Sequence, residues 1–63
     1  MSNLNLTPNI DCPDDFYAEL LAIHDGLSGE ASSTLNARLV LVLANHIGDR
    51  AVLSDALKAA TLK

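Results

Sequence analysis

One cysteine, one phenylalanine, one tyrosine, no tryptophan and four basic side chains make a sparse chemical kit for a chain of 63 residues. Each scarcity excludes something. The lone Cys12 forms no intrachain disulfide and supplies no multi-cysteine zinc site. A chain this short buries only about 60% of its unfolded surface when it folds alone, and its usual remedies are disulfides, structural metals or association. Association is the one left. Arg38, Arg50, Lys58 and Lys63 are scattered, and the formal charge is -4, so there is no concentrated basic face for nucleic acid or for an anionic membrane surface. Phe16 and Tyr17 are adjacent and offer no platform for stacking bases. No apolar run approaches the roughly 20 residues of a membrane span. With one cysteine and no basic leader ahead of an apolar core, a reducing cytoplasm is the expected compartment.

What the chain has in quantity is aliphatic surface. Hydrophobic residues make up 49% and charged residues 19%, which is too apolar for a disordered chain. Residues 1–10 carry Asn, Thr and Pro around a short Leu4, Leu6 alternation and read as an extended arm, with Pro8 stopping any helix there. Residues 11–63 read as a single helical domain. Pro13 suits a first helical position, Asp11 or Cys12 is the expected cap, and Asp14 and Asp15 complement the helix dipole. The first helix is predicted over 13–25, with Phe16, Leu20, Ile23 and Leu27 on one line and Gly26 closing it in the left-handed conformation.

Ser28 is the expected cap of a second helix over 29–47. Its central line is Ala31, Leu35, Leu39, Val42 and His46, flanked by Val40, Leu43 and Ile47. This apolar arc is wider than the ~100° stripe of an ordinary surface helix, and Thr34, Arg38 and Asn45 are all that remain for a solvent strip. Leu39 to Leu43 alternates like a buried strand, but the pattern runs unbroken for longer than the 5 to 6 residues typical of strands. Gly48 ends this helix and Asp49 caps a third, predicted over 50–60 with Val52, Leu53, Ala56, Leu57 and Ala60 on its apolar line. The expected fold is all-α: three helices, the first two an antiparallel hairpin because their connection is so short, assembling as a homodimeric helical bundle.

No catalytic residue and no cofactor are expected. The residues expected at the dimer interface are Leu35, Leu39, Val42, Leu43 and His46; Asn36 reads as a half-exposed amide near the helix start, with a register-setting polar group as the alternative. The histidines, His24 and His46, both fall within apolar arcs; interface hydrogen bonding is the ordinary role for them. Between different chains of an antiparallel dimer they, with Asp25 and Asp49, would make a metal or ligand site, which is the alternative function. The Glu-x-x-His signature of bundle metal sites is absent. Cys12 opens the first helix and should approach His46, but a nucleophile pair also needs an oxyanion site and a pocket that so small a chain hardly encloses.

Four runs, Asp14-Asp15-Phe16-Tyr17, His24-Asp25-Gly26-Leu27-Ser28, Leu35-Asn36-Ala37-Arg38-Leu39 and Leu43-Ala44-Asn45-His46-Ile47-Gly48-Asp49, in that order resemble a family of short proteobacterial proteins classed as a domain of unknown function. The resemblance covers Ile10 to Leu57 and assigns no activity. It implies genes near flavin-dependent monooxygenases and other enzymes of aromatic breakdown, and hence an accessory role beside a larger enzyme. Gly29 departs from the charged residue expected at that place.

Overall fold

The computed structural model describes residues 4–61 and holds three α-helices, with no strand among the described residues: α1 (Pro13–His24), α2 (Gly29–Ile47) and α3 (Arg50–Thr61). The chain is all-α. The first three residues of the expected arm and the last two of the expected helical domain lie outside the described residues. No helix of the described residues is long and apolar enough to cross a membrane.

Each helix boundary has a local cause. Pro13 opens α1 where its missing N–H is no loss, and Asp14 and Asp15 lie in the first turn. Cys12 occupies the cap position in the left-handed region, at φ 49°, and its side chain makes no capping bond. At the other end the sequence-based expectation shifts by a residue. The helix closes at His24, Asp25 caps it in an extended conformation, and left-handed Gly26, at φ 79°, turns the chain after the cap rather than forming it. Ser28 Oγ accepts the Ala31 N–H at 3.1 Å, so α2 starts firmly although Gly29 is a poor helix former.

The other end of α2 is closed by Gly48, left-handed at φ 74°, whose N–H donates to the Ala44 carbonyl at 2.9 Å. The next residue, Asp49, accepts the N–H groups of Ala51 at 2.9 Å and Val52 at 3.3 Å and so starts α3 at once. On α3 Val52, Leu53, Ser54, Asp55, Ala56 and Ala59 are half-covered, while Leu57 and Ala60, expected on the apolar line, are exposed.

These helices do not close into a compact body. The Cα radius of gyration is 13.5 Å, against about 11 Å for a compact chain of this length. None of the described residues is buried. The accessible surface is 5641 Å², about 1,700 Å² more than a compact monomer of this mass exposes. Part of that excess belongs to the arm, where Leu6 and Ile10 are open to solvent, and much of the remainder lies on the helices.

Candidate interaction surface

The second helix divides its apolar residues between two adjacent stripes, because residues spaced by three and four positions align along a helix. The first stripe is Leu35, Leu39, Val42 and His46. Its lower part, Leu35 and Leu39, is half-covered together with Ala31 and Ser32, whereas Val42 and His46 are exposed. The second stripe is Asn36, Val40, Leu43 and Ile47, and every member is exposed. In the C-terminal half of α2, exposure reaches 61% at Val40, 69% at Leu41, 64% at Val42, 48% at Leu43 and 49% at Ile47. Single exposed aliphatics are ordinary on a protein surface; here Val40, Leu43 and Ile47 share one side of the helix, Val42 lies on the neighbouring stripe and Leu41 on the polar strip with Thr34, Arg38 and Asn45. The outward side of α1 continues the theme, with Tyr17, Leu21 and Ile23 at least half open.

Of the residues expected at an interface, Val42, Leu43 and His46 are therefore available to a partner, while Leu35 and Leu39 also serve the chain's own packing. Val40 and Ile47 only flank the central line of the sequence pattern, yet they border the most open part of the helix. Their spacing to Leu43 carries the signal. What spacing alone does not disclose is which stripe the rest of the chain covers.

The polar link between α1 and α2 is a histidine and an amide. His24, half-covered at the end of α1, donates from Nδ1 to the Leu20 carbonyl at 2.8 Å, and its Nε2 lies 2.9 Å from Asn36 Oδ1. A carbonyl at Nδ1 fixes the proton there. In the imidazolium form Nε2–H donates to Asn36 Oδ1; in the neutral form Nε2 needs a donor, which the Asn36 NH2 group provides when the amide turns over. Asn36 can thus satisfy His24 in either state, and the pair pins the end of α1 two turns up α2. Both ring nitrogens of His24 are engaged, so metal ligation by this residue would first have to break one of these bonds. The sequence pattern places each residue as a polar group on an apolar arc but does not pair them.

His46 is exposed near the opposite end of α2. Cys12 is also exposed, and its Sγ lies 3.9 Å from Asp11 Oδ1. Among the described residues there is no group of three or more His, Cys, Asp or Glu side chains able to hold a metal ion. An open groove of about 550 Å³ runs beside the start of α2, where Leu27, Ala31 and Leu35 meet the polar Ser28, Glu30, Thr34 and Arg38. Its lining pairs one carboxylate with one guanidinium and contains no nucleophile and base in reach of each other that these contacts define.

The chain belongs to the family described as "Protein of unknown function (DUF2783)", whose model matches residues 4–62. No curated protein matches it, and neither does any solved structure.

Proposed function

We propose that this member of the DUF2783 family is a small, non-enzymatic interaction protein of the cytoplasm that homodimerises through α2 and serves as an accessory or regulatory subunit of a larger enzyme. The observation that supports it is the open C-terminal half of α2, from Val40 to Ile47, in a chain with no buried residue among those described. In this reading α1 and α2 form an antiparallel hairpin joined by the four residues Asp25 to Ser28, two hairpins make a four-helix core, and α3 packs across it. The excess over a compact monomer, about 1,700 Å² for the whole chain with its arm and α1 included, is larger than the ~800 Å² per partner of a standard interface, so a part of it suffices.

The accessory role draws on the resemblance of the Asp14 to Asp49 runs to proteins encoded beside flavin-dependent monooxygenases. It is consistent with the apolar outer side of α1, where Tyr17, Leu21 and Ile23 give a larger enzyme a surface to hold. The test is recovery of the untagged protein at its native expression level, followed by mass determination of what accompanies it. A two-chain particle bearing one stoichiometric oxygenase or reductase is the expected result; a solitary chain carrying nothing would overturn the proposal.

A further inference from the structure

We draw no further inference here: the strongest candidate, the exposed stripe of Val40, Leu43 and Ile47 along the C-terminal half of α2, is an unpartnered apolar face, and nothing in the structure shows what covers it.

Discussion

Replacing Leu43 by lysine perturbs the proposed interface at a side chain that the single chain covers only about half. Leu43 is 48% exposed in the single chain. Full burial of a leucine contributes about 1.5–3 kcal/mol, so covering the half that remains open contributes about 1 kcal/mol per copy and about 2 kcal/mol per dimer. Losing that alone weakens dimerisation about thirty-fold. The two lysine ammoniums brought toward an apolar seam add a desolvation cost and raise the factor further. The assay is sedimentation equilibrium across a concentration series, with helicity by circular dichroism in parallel. Thr34→Lys, on the exposed polar strip, is the control and should leave the dissociation constant within about twofold, as substitutions of exposed residues outside such features change stability by less than about 0.5 kcal/mol. If Leu43→Lys left mass and dissociation constant unchanged, α2 would not be the place where copies meet.

Three further outcomes follow from the local structure, each read by urea denaturation at fixed protein concentration. Asp49→Ala removes the acceptor for the Ala51 and Val52 N–H groups and should cost about 1 kcal/mol, with Asp49→Ser recovering most of it. Gly48→Ala should cost about 1–2 kcal/mol through backbone strain alone, since φ is +74° and the added Cβ would meet only the Asn45 carbonyl oxygen at an ordinary 3.7 Å. Asn36→Ala leaves His24 Nε2 without its protein partner and should cost about 0.5–1.5 kcal/mol; no loss would mean that water replaces the amide fully.

Helix ends are the most legible part of this chain. Ser28, Gly48 and Asp49 act locally, through side-chain oxygens and a left-handed glycine, and each does what its residue type and place imply. Cys12 falls between signals: the residue before a proline is restricted, and here it takes a left-handed conformation with no side-chain cap. The excess of apolar circumference on α2 is legible too, because a wheel shows width directly. Which half of that circumference stays open is not, since it depends on contacts between distant residues, of which the bond of His24 with Asn36 across the turn is one that the pattern does not pair. The exposure of Leu57 and Ala60 on α3 is hidden for a related reason. Its alanines suit either side of the helix, so the pattern at Ala56, Leu57, Ala59 and Ala60 fixes the inner arc only loosely.

Shelter of α2 by another molecule is tested most directly by the state of the unmodified protein on dilution. Mass and helicity measured together from high micromolar to nanomolar concentration should show a two-chain particle that loses helicity as it dissociates, with a thermal midpoint that rises with concentration. A fully helical single chain at nanomolar concentration, with a midpoint independent of concentration, would contradict it.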